Sequence, residues 1–157
     1  MLDLVVDGFV TYCCGPRTAP YALVASYQWE DYVDLVTMRC IERVTTARVP
    51  ALHHGRVDVF APEVVVWAYE GSPQCALRAL FNLVHPQHPD APVGAYPAPS
   101  SLHVSRAEQR PMTIRLPSPG QAGIRAARLA AAMAAGRSDP IMADARCREA
   151  SEVIQCR

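Results

Sequence analysis

The sequence predicts an α+β domain of two layers, an antiparallel sheet of four or five strands packed on one amphipathic helix. Three observations predict it. Short β-branched and aromatic runs separated by turn residues fill residues 1–70, one strongly marked helix follows them, and the links between runs are too short for parallel crossovers. A chain of 157 residues, 50% hydrophobic and 19% charged, is long enough to enclose one core and too apolar to be disordered throughout.

Residues 2–14 carry Leu4, Val5, Val6, Phe9, Val10 and Tyr12 around Asp7-Gly8, which reads as a hairpin turn or as a bulge in one long strand. Residues 15–20 hold two prolines and a glycine and read as a loop. Residues 21–27 and 32–40 are expected strands, joined through the polar link Gln28-Trp29-Glu30-Asp31. Residues 41–49 alternate weakly and fit either an extension of that strand or a short helix, ended by Pro50. Residues 57–60 and 64–69 give one strand broken at Pro62, or two short ones.

The clearest local signal starts at Ser72-Pro73, a capping hydroxyl before a proline at the first helical position. Leu77, Leu80, Phe81 and Val84 then fall at helical spacing, which predicts a helix over 73–84, stopped by His85-Pro86. Residues 85–119 hold 8 of the 14 prolines and are expected to form an extended arm with one short strand at 112–116. Residues 120–135 are alanine-rich and predict a helix with Arg125 and Arg128 on one side. A last helix, from Ser138-Asp139-Pro140 to about Ile154, is expected from its cap and its spaced opposite charges. The chain thus divides into a core domain at 1–84, a proline-rich arm at 85–119 and a helical tail at 120–157.

Composition excludes several chemistries. The chain is lysine-free and all 15 of its cations are arginines, so no phosphate-loop lysine and no lysine imine to a cofactor can form. No cofactor is expected. Zero net charge removes the bulk attraction on which most nucleic-acid binders rely. No run approaches the ~18 apolar residues of a membrane helix, and the acidic Asp3 and Asp7 near the start argue against an export signal, so a cytoplasmic protein is expected. In a reducing compartment the six cysteines are expected as structural thiols.

Three groups are candidate sites. Cys75 sits in the first turn of the predicted helix with Arg78 one turn on, a Cys-x-x-Arg pair suited to stabilising a thiolate for thiol catalysis or redox sensing. His85 and His88 are spaced to share a metal, with His53, His54 or His103 as further ligands. Tyr27, Trp29 and Tyr32 with Arg39, beside Tyr12, Trp67, Tyr69, Arg43, Arg48 and Arg56, could form a stacking face for single-stranded nucleic acid. Each has a plain alternative in packing: a core cysteine, solvated loop histidines, and strand aromatics with acidic neighbours that would repel phosphate.

The runs Tyr-Ala-Leu-Val-Ala-Ser-Tyr-Gln-Trp from Tyr21, Tyr-Val-Asp-Leu-Val-Thr-Met-Arg from Tyr32, Asp-Val-Phe-Ala-Pro from Asp58 and Ala-Leu-Arg-Ala-Leu from Ala76 resemble a group of short actinobacterial proteins with no assigned activity. The resemblance covers about residues 5–116 and implies source and domain extent only. The expected function is that of a small accessory or protein-binding domain with no catalysis of its own, docking on a protein partner or a second copy.

Overall fold

The computed structural model describes residues 2–51 and 57–136. Its elements are α1 (Leu2–Val6), β1 (Val10–Cys14), β2 (Ala22–Gln28), β3 (Tyr32–Met38), β4 (Val44–Pro50), β5 (Val64–Val65), β6 (Trp67–Gly71), α2 (Pro73–Phe81), β7 (Tyr96–Pro97), β8 (Met112–Arg115) and α3 (Ile124–Ala134). The fold is α+β, with a six-stranded antiparallel sheet of order β6-β4-β3-β2-β1-β8 and a two-stranded pair of β5 with β7. The sheet is therefore larger than the four or five strands expected, and several helices rather than one pack on it.

Both faces of the sheet are covered. On one, Ala25, Tyr27, Val36 and Val44 pack with Leu4 of α1, Phe9, Ala76 and Leu80 of α2, Leu83, and Leu129 of α3. On the other, Val33, Leu35, Ala47 and Val49 meet Val65 and Leu102, while Cys14, Ala22 and Val24 meet Val104. This explains why β2 and β4 lack a clean alternation: every residue from 44 to 49 is buried, whichever face it points to. The proline-rich stretch expected as an extended connector is the second cover. Its prolines rule out a helix or a central strand, but they leave Leu102 and Val104 free to pack.

The opening residues are the main correction. Instead of a strand, 2–6 form a helix that closes on itself, Asp7 N–H donating to the Asp3 carbonyl at 2.9 Å and Phe9 N–H to that of Leu4 at 2.9 Å. A helix this short has no stability of its own, so tertiary burial of Leu4 decides over the β-propensity of Val5 and Val6. Gly8 makes the exit possible at φ +89°, and a Cβ there would lie 2.3 Å from the Gln121 carbonyl oxygen. Residues 41–49 neither prolong β3 nor form a helix; the chain turns after Met38 and returns as β4. The helix marked by Ser72-Pro73 forms as expected, with Ser72 Oγ accepting from Cys75 N–H at 3.4 Å, but it ends at Phe81 rather than Val84. The helix expected over 120–135 is α3, one turn shorter at its start. The last expected helix, His53, His54 and Arg56 lie outside the described residues.

What fastens α3 to the sheet is a buried charge network. Asp34 on β3, wholly buried, accepts from Arg48 Nε at 2.7 Å and from Trp29 Nε1 at 2.9 Å. It also accepts from the equally buried Arg125 of α3, at 3.1 Å from Nε and 2.8 Å from the terminal nitrogen. Arg125 reaches on to Asp7 at 3.2 Å and to the Leu80 carbonyl at 3.0 Å, and Asp7 is held again by Arg128 at 2.9 Å. Burial alone would raise the Asp34 carboxyl. The hydrogen bond from Arg48, the charges of Arg125 and Arg48 and the bond from Trp29 together outweigh it and hold the group below its ordinary value. Arg125 is thus the anchor of its helix.

Candidate functional site

The two edges of the sheet differ. At one, β6 is half-buried throughout, and its Glu70 accepts from Ser101 Oγ at 2.7 Å. At the other, all four residues of β8 are exposed, and no strand lies beyond it among the described residues. Edges of this second kind offer unpaired backbone groups to another chain.

The ladder fixes which groups are offered. Gly15 N–H donates to the Pro111 carbonyl at 2.8 Å, so these two residues form a hydrogen-bonded pair. Such pairs alternate along an antiparallel ladder, and the register Cys13↔Thr113 and Thr11↔Arg115 continues from this one. The backbone groups of Thr113 and Arg115 therefore face β1, and those of Met112 and Ile114 face outward. Side chains alternate as well: Met112 pairs with Cys14 and Ile114 with Tyr12, placing both on one face, with Leu116 next in phase. They are 41%, 51% and 70% exposed, a row of apolar side chains along an open edge. On the opposite face Thr113 and Arg115, with Thr11 and Cys13 of β1, line a cleft of about 520 Å³.

The residues singled out from sequence lie elsewhere and stay apart. Cys75 and Arg78 share the start of α2. The free cysteines among the described residues are Cys13, Cys14 and Cys40, and Cys75 is not one of them. Cys14 is buried, and its thiol is raised by that burial and then by Cys13 and Glu108. His85 lies edge-on to the Trp29 ring at 5.0 Å, and burial, then the Arg48 charge, lower its pKa. His88 turns to its own loop, Nδ1 accepting from Asp90 N–H at 3.1 Å. Among the described residues no three His, Cys, Asp or Glu side chains gather as a metal would need.

The aromatic and arginine set does not make one surface. Tyr27 and Trp29 are buried, their rings 4.9 Å apart, and the Tyr27 hydroxyl accepts from Ala126 N–H of α3 at 3.2 Å. Tyr32 packs against the same core, and Arg48 is wholly buried. Arg39 pairs with Glu108 at 2.7 Å and donates to the His103 carbonyl, at the far end of β3. Glu108 also accepts from the Ser105 hydroxyl and N–H; the bonds from Arg39 and then Ser105 lower its pKa to about 2.

Sequence reasoning named the strand at 112–116 but gave it no role. Its signal was present in the alternation of Met112, Ile114 and Leu116; what sequence could not supply was that β1 takes its inner side and leaves the outer one bare. No helix among the described residues is long and apolar enough to cross a membrane. No family model, no curated protein and no solved structure matches the chain.

Proposed function

We propose that the chain is a protein-binding domain without chemistry of its own, and that it assembles with a second copy of itself by pairing β8 with β8 of the copy. The observation that carries this is the open edge, and the argument for the occupant is self-complementarity. An antiparallel pair centred on Ile114 sets Ile114 against its own counterpart and Met112 against Leu116, so every apolar side chain meets an apolar one. The same register uses the outward backbone groups in hydrogen-bonded pairs and sets Arg115 opposite Thr113 rather than opposite another arginine. It would join two six-stranded sheets into one of twelve strands.

The association is expected to be weak. Covering three half-exposed side chains per copy contributes roughly 1 kcal/mol apiece, and an edge of this length falls well short of a standard interface. Sedimentation equilibrium carried from micromolar to millimolar protein is the test. The average mass should rise from 17.1 kDa toward twice that value with concentration, and Ile114→Lys, which sets a charge on the edge, should hold the protein at the monomer mass. A wild-type protein that stays monomeric throughout, or an I114K protein that self-associates as well as wild type, refutes the proposal.

A further inference from the structure

The cleft on the other face of the β1–β8 edge is lined by ten residues that include two arginines and no acid. Among the described residues Arg39, Arg43, Arg48, Arg125 and Arg128 each pair with a carboxylate; Arg17, Arg78, Arg106, Arg110 and Arg115 do not, and of these five Arg17 and Arg115 line the one cleft. Two arginines without a carboxylate partner thus share one concavity that holds no acid, which favours an anion there.

The remaining polar groups have the same bias. Thr11 and Thr113 line the cleft beside Arg115, placed there by the register Thr11↔Arg115 and Cys13↔Thr113, and among the described residues no protein group uses their hydroxyls. Gln121 spends its amide oxygen on Ser118, accepting from its N–H at 3.1 Å and its hydroxyl at 2.9 Å, which leaves the amide N–H₂ as its free end. Guanidinium groups, hydroxyls and an amide N–H₂ make a donor-rich wall, the chemistry that recognises a carboxylate or phosphate head. The rest is Tyr12 and Cys13 of β1 with an apolar set, Val5 and Val6 from α1 and Leu23 from β2. A volume of about 520 Å³ is that of a small-ligand site.

We propose that this cleft binds a small organic anion, its acidic head at Arg17 and Arg115 and its apolar body against Val5, Val6 and Leu23. A metal cation is disfavoured by the same two charges, and a neutral apolar molecule would leave the donors unmet. The site is distinct from the outer edge of β8 and stands whether or not the chain self-associates.

The test is calorimetric titration of the full chain, kept dilute, with octanoate and with hexyl phosphate, against octanamide as the uncharged control. At least one of the two anions should bind saturably and at least tenfold more tightly than octanamide, and binding should weaken with added salt. The double variant R17Q/R115Q should lose tenfold or more, while R106Q, an arginine outside the cleft, should bind as wild type does. A second readout keeps the proposal open to refutation if the double variant folds poorly. The bound anion should slow alkylation of Cys13 by iodoacetamide, followed by peptide mass spectrometry, and leave that of exposed Cys40 unchanged. Failure of both anions to saturate, equal binding of octanamide, undiminished binding by well-folded R17Q/R115Q, or unslowed alkylation of Cys13 under saturating anion overturns it.

Discussion

Replacing Arg125 by methionine removes the one cation that joins α3 to the sheet while keeping the length of the side chain. The guanidinium makes two hydrogen bonds to Asp34, at 2.8 and 3.1 Å, one to Asp7 at 3.2 Å and one to the Leu80 carbonyl at 3.0 Å. It also lies over the Phe9 and Trp29 rings at 5.5 and 5.8 Å. Breaking a buried ion pair commonly costs 3–5 kcal/mol, most of it from the charge left behind. Here neither carboxylate is abandoned: Asp34 keeps Arg48 and Trp29, and Asp7 keeps Arg128. The expected loss is therefore at the low end, about 3 kcal/mol, against the ~5–15 kcal/mol of a typical domain. Asp34→Asn should cost more, about 5 kcal/mol, because it leaves two buried guanidinium groups facing each other without the shared anion. Urea unfolding measures both losses. The position of the damage is equally diagnostic. Only Arg125 and Leu129 of α3 are buried, so R125M should speed amide exchange across 124–134 and leave β2, β3 and β4 protected. A loss under about 1 kcal/mol with exchange in α3 unchanged would refute the anchoring role.

Gly8→Ala sets a Cβ 2.3 Å from the Gln121 carbonyl oxygen at φ +89°, and should cost about 2 kcal/mol, read as a lower melting temperature; an unchanged one would contradict the close approach. Glu108, with a pKa lowered from 4.5 to about 2 by Arg39 and Ser105, confers stability that is complete above pH 4.5 and lost as pH falls toward 2, so E108Q should flatten the urea midpoint over that window. His85, lowered by burial and by Arg48, should titrate by NMR with a midpoint below its ordinary 6.5; the stability tied to its neutral form is complete above that value and is lost as pH falls through the lowered midpoint.

The parts of the fold that sequence revealed are those whose cause is local. Ser72-Pro73 marks α2 because a cap and a proline act within one turn, and β2 and β3 show in their Val, Leu and Tyr content. The helix at 2–6 was hidden because five residues are too few for a period to register, and its stability comes from contacts with Phe9 and the sheet. The complete burial of Arg48, expected in an aromatic and arginine face, and of Arg125, expected on one side of its helix, runs against the ordinary behaviour of arginine. The one available clue was Asp34, an acid in the middle of Tyr-Val-Asp-Leu-Val, which a buried strand admits only with a counter-charge. That one counter-charge lies 14 residues on, across the β3–β4 hairpin, and a second 91 residues on could not be read from any one window. The same holds for the site: the alternation at 112–116 is local, but the open edge and the acid-free cleft exist only because 111–115 return to lie beside β1.

The layering of this molecule also sets an order on its synthesis. On the ribosome β1 to β4 and β6 emerge first and α2 follows at once, so one face of the sheet gains its lid early. The other waits for Leu102 and Val104, and the Asp34–Arg48 pair waits until residue 125 for its third member. For about 20 residues of elongation, from the end of α2 at Phe81 to Leu102, a nascent chain carries a half-clothed sheet, the interval in which a growing polypeptide is most apt to stick to its neighbours or to recruit a chaperone.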